Sequence, residues 1–389
     1  MEPRGVASTV CVLFFCTLAG IIFGFAMEKG RVFEPQSIRE QMVFKRWIML
    51  KMFLAAMGAS AIVFGLLSFL PVQWIRKKWE AAYEDFDSTV RHRNAIGVLL
   101  GGFLLGLGMT LSGACPGMVL PQTGAWANNA IFTLLGALLG TLIYGLLHDR
   151  LIVRIFPEDK CLLPASNAGK AGPLARVHYG LLTTGLGALM YLAVILMEVF
   201  IPWEEDYAHG LEANLSWRRP CLRCQDTIFQ FVAWPPAICG TIIGLLQVVI
   251  VLTCEDTLGG SSAYATIVAQ AFPTQRLRNA FPFMASRRCG LSNWWQVFYV
   301  FGGILGGLLS SQLSRTGGLV AGVPIYYAVV GGALLTFGAR LGGGCTSGHG
   351  LSGAGMLFLA SFLAVPAMFA GGISLAFAMQ ATGELQRLV

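Results

Sequence analysis

The sequence predicts an all-α polytopic membrane protein. It would hold about nine transmembrane helices in two inverted four-span repeats joined by a linking helix, with broken, re-entrant glycine–cysteine segments. Three observations predict this. First, 55% of the 389 residues are hydrophobic and only 12% charged, against about 25% charged in an ordinary soluble domain. Such a chain has too few polar residues to cover a soluble surface, and its mean hydropathy of +0.66 excludes disorder. Second, the apolar residues fall in runs long enough to span a bilayer, each needing roughly 20 residues. Third, one glycine-rich run ending in cysteine occurs twice.

In chain order the spans lie at 10–27, 47–70, 95–112, 130–148, 178–201, 230–253, 294–313, 324–342 and 355–378. The first has no small-residue cleavage site with a soluble chain behind it and reads as a retained span, not a signal peptide. The connectors 71–93, 149–176, 202–229 and 254–293 collect most of the charge and read as surface loops and short helices. Lys51, one turn inside the second span, is expected to snorkel to the interface. The net charge of +7 fits loops near anionic lipid. No basic, aromatic-interleaved stretch suggests a nucleic-acid partner.

The repeat is seen by setting residues 101–115 (GGFLLGLGMTLSGAC) under residues 331–345 (GGALLTFGARLGGGC), where eight of fifteen positions agree. Gly20-Ile-Ile-Phe-Gly24 likewise resembles Gly240-Thr-Ile-Ile-Gly244, and each half has a span opening on tryptophan, at Trp47 and at Trp294 and Trp295. The chain thus divides into a first repeat (1–148), linker loops with a central span (149–229) and a second repeat (230–389). Five spans separate matching elements, so the halves would cross the bilayer in opposite senses, as in many secondary transporters.

The first segment holds Gly113, Cys115, Pro116 and Gly117. The second holds Arg340, Gly343, Gly344, Cys345, Thr346, Ser347, Gly348, His349 and Ser352. Neither suits a continuous helix, because each glycine costs about 1 kcal/mol against alanine and Pro116 has no N–H. Broken backbone at membrane depth is tolerated where it is buried in protein or lines a cavity. Free amides at the start of a following half-helix favour an anion. Thr346, Ser347 and Ser352 add hydroxyls. Arg340 is the only arginine inside a predicted span, which marks it as a functional candidate. A thiol is a weak donor for an oxyanion; two of them make sense if the ligand also carries a soft atom such as sulfur. The alternative is structural: small residues let helices approach closely, and a buried cysteine packs as a small hydrophobe.

Weaker features complete the reading. Cys11, Cys16, Cys239 and Cys254 lie in or near apolar runs. Cys221-Leu-Arg-Cys224 has no second pair at zinc-site spacing and would form a loop disulfide or nothing. Asn214-Leu-Ser216 is a sequon, usable if its loop faces outside. Gly259-Gly-Ser-Ser262 could open another half-helix. No cofactor, metal or nucleotide motif is found.

The stretch Gly338-Ala-Arg-Leu-Gly-Gly-Gly-Cys-Thr-Ser-Gly-His-Gly-Leu-Ser-Gly353 closely resembles the signature of the YeeE/YedE sulfur-transport family, and Gly113-Ala-Cys-Pro-Gly117 resembles its first-half counterpart. The resemblance implies a thiosulfate transporter with an hourglass-shaped, pseudo-symmetric fold, passing its substrate along cysteines that include Cys115 and Cys345. Family members have a third such cysteine just after the first span. This chain reads Lys29-Gly-Arg-Val-Phe-Glu-Pro-Gln36 there, and Glu34 would be mildly unfavourable at the mouth of an anion path.

The expected substrate site is therefore Cys115, Cys345, Arg340, His349, Gly113, Gly117, Gly343, Gly344, Thr346, Ser347 and Gly348. The expected partners are a small sulfur-containing anion such as thiosulfate and the lipid bilayer. The excess of Lys and Arg in alternate connectors places the N-terminus inside and the C-terminus outside. Two other classes compete with a transporter: a membrane-embedded sulfur-transfer or thiol redox enzyme using the two cysteines, and a channel for another small solute with the cysteines merely packing.

Overall fold

Among the residues described by the computed structural model (6–91, 93–157, 173–208 and 228–387), no strand occurs. Nine helices there are long and apolar enough to cross a membrane. They are α1 (Val6–Lys29), α3 (Ile48–Phe69), α5 (Ala95–Ser112), α7 (Ala130–Leu147, continuing to Ile155), α8 (Pro173–Phe200), α10 (Pro236–Cys254), α14 (Leu291–Leu313), α15 (Ile325–Gly342) and α16 (Leu359–Ala381). Between them lie α2 (Pro35–Met42), α4 (Gln73–Arg91), α6 (Val119–Gly124), α9 (Trp203–Ala208), α11 (Ser261–Ala269), α12 (Gln275–Ala280) and α13 (Pro282–Ser286). Each expected span is present. The sixth starts six residues late because Pro236 takes the first helical turn, where its missing N–H does no harm. The motifs at Asn214 and at Cys221 and Cys224 lie outside the described residues.

The connector 71–93, expected to hold loops and short helices, is mostly one 19-residue helix, α4. Its Trp79, Tyr83, Phe86 and Val90 repeat at helical spacing and are buried against Tyr179, Met356 and Phe358. Lys51 does not snorkel. It is fully buried, with Nζ 2.8 Å from Glu198 Oε2 of α8 and also donating to the Ile201 carbonyl. Since the Glu198 side chain keeps 38% exposure, Lys51→Met leaves the carboxylate able to reach water. The loss should be about 1–2 kcal/mol, between the surface and buried cases, read as a lower melting temperature in detergent.

Helix pairing crosses between the halves. Helix α1 packs on α14 and α10 on α3; α5 packs on α15 and α16, and α15 also on α7. The set is unchanged if α1, α3, α5 and α7 are exchanged with α10, α14, α15 and α16. Lipid offers helices no hydrophobic reward for meeting, so close packing of small residues must hold them. A Cβ on Gly20 would fall 2.0 Å from the Tyr299 carbonyl oxygen of α14, and one on Gly240 2.2 Å from the Met52 carbonyl oxygen of α3. The connectors gather at two ends. Trp47 N–H donates to Asp206, Lys29 to the Phe231 carbonyl and Asn128 N–H to the Val320 carbonyl at one end. At the other, Lys78 pairs with Glu255 at 3.2 Å and Phe283 N–H donates to Asp149.

The first end also holds a buried ionic network. Glu28 accepts from Arg31 (2.9 Å), Ser310 (2.5 Å) and Thr316 (2.9 Å). Glu34 is held by Arg31 at 2.5 Å and Arg46 at 3.9 Å. The expectation that Glu34 would repel an anion is thereby corrected, because two guanidinium groups neutralise it.

Candidate functional site

The two glycine–cysteine segments begin alike. Helix α5 stops at Ser112 and Gly113 follows at φ +60°; α15 stops at Gly342 and Gly343 follows at φ +83°. Both are left-handed caps that suit glycine. Gly113 also abuts Pro35, where a Cβ would fall 2.3 Å from the proline Cβ. The carbonyls left over at each helix end find partners. Arg39 donates to the Thr110 and Leu111 carbonyls at 3.0 and 2.7 Å, and Gln122 to that of Gly113 at 2.9 Å. His349 lies 3.1 Å from the Gly342 carbonyl through Nε2 and 3.0 Å from Ser361 Oγ through Nδ1. A carbonyl only accepts, so Nε2 carries the proton and Nδ1 accepts from Ser361. His349 therefore fixes the segment, with both nitrogens engaged. Its ring also fills the space a side chain on Gly344 would need.

Beyond the caps, Cys115 lies in a turn leading into α6, with Met118 and Val119 N–H donating to its carbonyl. Cys345 leads into a six-residue π-type turn, Gly348–Gly353. Both cysteines are buried. Cys345 Sγ is 3.2 Å from Ser347 Oγ, and Gly348 and Gly117 each leave room about their neighbouring sulfur, with would-be Cβ positions 3.9 Å from it. Thr346 donates to Met109 Sδ at 3.7 Å. Ser352 is tied to Gln247 and to the Leu258 carbonyl and takes a bracing role.

The two segments meet through residues the sequence reading did not name as ligands. Tyr264 of α11 donates to the Pro116 carbonyl at 2.8 Å and has both Cys115 and Cys345 as electrostatic neighbours. Tyr299 of α14 has Cys345 as such a neighbour, and its buried hydroxyl has no hydrogen-bond partner. No spacing rule marks either tyrosine, since each neighbours a thiol carried by another segment of the chain. The helix following Cys115 is the six-residue α6, and after Cys345 helical turns run over 346–355. A further half-helix beside the thiols is α11, opened by Gly260, Ser261 and Ser262, the stretch read as a possible further half-helix.

Arg340 binds this helix start. Its Nη1 donates to Ser262 at 3.1 Å and its Nη2 to Ser261 at 2.5 Å, while Nε is buried without a partner. Its strongest ionisable neighbours are Arg287, Cys345, Tyr144 and Arg93, and among the described residues no carboxylate pairs with it. A buried cation with no ion-pair partner among the described residues, set at the positive end of a helix, is unfavourable by itself. The chemistry offered is one cationic fork, hydroxyl donors and two soft thiols.

The model of the family described as Sulphur transport matches residues 29–374. The chain is 24% identical over 363 residues to the thiosulfate transporter TsuA of Spirochaeta thermophila, covering 89% of this chain and 93% of that protein. It is 22% identical over 350 residues to the thiosulfate transporter TsuA of Escherichia coli, covering 86% and 85%.

Proposed function

Because the chain belongs to the Sulphur transport family, we propose that it carries thiosulfate, or a closely related small sulfur-containing anion, across the membrane between the segments bearing Cys115 and Cys345. The observation that carries this reading is Arg340, a buried guanidinium that no carboxylate pairs with among the described residues, with a free Nε and Cys345 as an electrostatic neighbour. The names of both relatives support the substrate class.

In this mechanism the halves 1–148 and 230–389 face opposite ways, each bringing one glycine-capped segment to the middle. The exchange-symmetric helix pairing supports that arrangement. The anion's sulfonate oxygens take hydrogen bonds from Arg340 and from neighbouring hydroxyls such as Tyr299, which offset its desolvation. Its terminal sulfur accepts from the thiols of Cys115 and Cys345 in turn. S–H donors are weak, so each contact breaks easily and the ion leaves as readily as it binds. Gly117 and Gly348 keep side chains away from the two sulfurs, Gly113 and Gly343 cap the helices, Gly344 makes room for the His349 ring, Ser347 orients the Cys345 thiol, and His349 and Thr346 hold the second segment in place. No covalent step is needed, so the protein acts as a carrier and not as an enzyme. The N-terminus lies inside and the C-terminus outside, following the basic residues of the connectors.

Purified protein in liposomes should take up radiolabelled thiosulfate faster than protein-free liposomes do. Uptake no faster than the protein-free background refutes the reading. Persistent covalent persulfide on Cys115 or Cys345 would instead support sulfur transfer.

A further inference from the structure

We infer that Asp256 is a proton-binding site that couples proton movement to passage of the anion past Arg340. The inference rests on the transport reading above and adds a driving ion to it.

Asp256 follows the end of α10 and lies on the loop that leads to α11. Its carboxylate accepts from Trp295 Nε1 at 3.2 Å and from Thr257 N–H at 2.6 Å. The Gln296 carboxamide reaches the same carboxylate. Gln296 is only 8% exposed, yet its Oε1 is buried with no hydrogen-bond partner. An orphan acceptor beside a carboxylate lacks one thing, an O–H donor, and leaving it unmet costs about 1–3 kcal/mol. A proton on Asp256 provides that donor. The acid then donates to Gln296 Oε1 while the carboxamide N–H continues to donate to the acid.

The charges around Asp256 come from several elements. Glu255 and Cys254 adjoin it in sequence, and Glu255 is paired with Lys78 of α4. Asp85, also on α4, is its like-charged neighbour, and Arg287, after α13, interacts with both aspartates and with Arg93. Burial, then the charge of Asp85, pushes the Asp256 carboxyl up to about 7, where it can exchange protons under physiological conditions.

The link to the anion site is both electrostatic and mechanical. Arg287 neighbours Arg340 as well as Asp256. Neutralising Asp256 leaves the positive charge of Arg287 less compensated and makes the region around Arg340 more attractive to an anion. By linkage, an anion at Arg340 raises the proton affinity of Asp256 by the same factor. The loop 256–260 also holds the site together. Leu258 N–H donates to Gln247, the Leu258 carbonyl accepts from Ser352, and Gly260 precedes the two serines that bind Arg340.

The test uses the full chain in liposomes with the membrane potential clamped and radiolabelled thiosulfate as probe. A gradient of about one pH unit should raise equilibrium accumulation about tenfold per coupled proton, and a sodium gradient should not. With pH varied on the side that Asp256 faces, wild-type uptake should fall as pH rises through about 7. Asp256→Asn, neutral like the protonated acid, should exchange thiosulfate with a flat pH profile and lose gradient-driven accumulation. Asp85→Asn, which removes the like charge, should move the wild-type midpoint to lower pH, and it serves should Asp256→Asn fail to fold. Proton-driven accumulation by Asp256→Asn, an unmoved midpoint in Asp85→Asn, or accumulation driven by sodium overturns the inference. Uptake by wild-type protein that ignores the pH gradient overturns it alone; absence of any thiosulfate uptake overturns the transport reading as well.

Discussion

Replacing Cys115 and Cys345 with alanine together should lower thiosulfate uptake about a hundredfold, and each single replacement about tenfold. Each thiol is assigned one weak contact with the passing sulfur, worth on the order of 1.4 kcal/mol, and independent contacts add. The fold should survive. Both side chains are small and lie beside glycines, so truncation removes one heavy atom at each position and costs on the order of 1 kcal/mol. Uptake and thermal unfolding measured on the same preparations separate the two effects. A double variant with wild-type uptake would remove the cysteines from the mechanism.

Arg340→Gln should lower uptake by about one to two orders of magnitude, since a hydrogen bond from a charged donor is worth about 1.5–3 kcal/mol. The same change should leave melting unchanged or raise it. Arg340 is a buried cation that no carboxylate pairs with among the described residues, so neutralising it removes an unbalanced charge. Arg340→Lys keeps the charge but cannot span Ser261 and Ser262 as a planar fork does, and should give intermediate uptake. A variant that loses stability in step with uptake would mark Arg340 as a structural residue.

Span positions were legible because each crossing needs a long apolar run; the left-handed caps at Gly113 and Gly343 emerged only from the structure. Contacts made across the chain were not legible. Lys51 reads as a snorkelling lysine until α8 brings Glu198 to it. Arg31, Arg39 and Arg46 look like ordinary loop charges in the sequence, yet they are buried, one on helix-end carbonyls and two on carboxylates. Helix α4 reads as a charged connector because its buried face holds only a few spaced aromatics. Of the proposed site, the glycine–cysteine segments and Arg340 stand out in local composition. Tyr264, Tyr299 and the role of Ser261 were not, because their relation to the thiols depends on how α11 and α14 pack between the segments. His349 was visible as a residue, but its task of capping the Gly342 carbonyl emerged only from the fold.

We propose that the path selects for a soft sulfur atom as well as for negative charge. The most direct measurement is competition in the liposome assay, with unlabelled thiosulfate and unlabelled sulfate each added against radiolabelled thiosulfate. The two ions share charge and a tetrahedral shape, but only thiosulfate presents a terminal sulfur to Cys115 and Cys345. Strong competition by thiosulfate and little by sulfate is the predicted result. Equal competition by the two would contradict it, leaving an oxyanion site in which the thiols play no selective part.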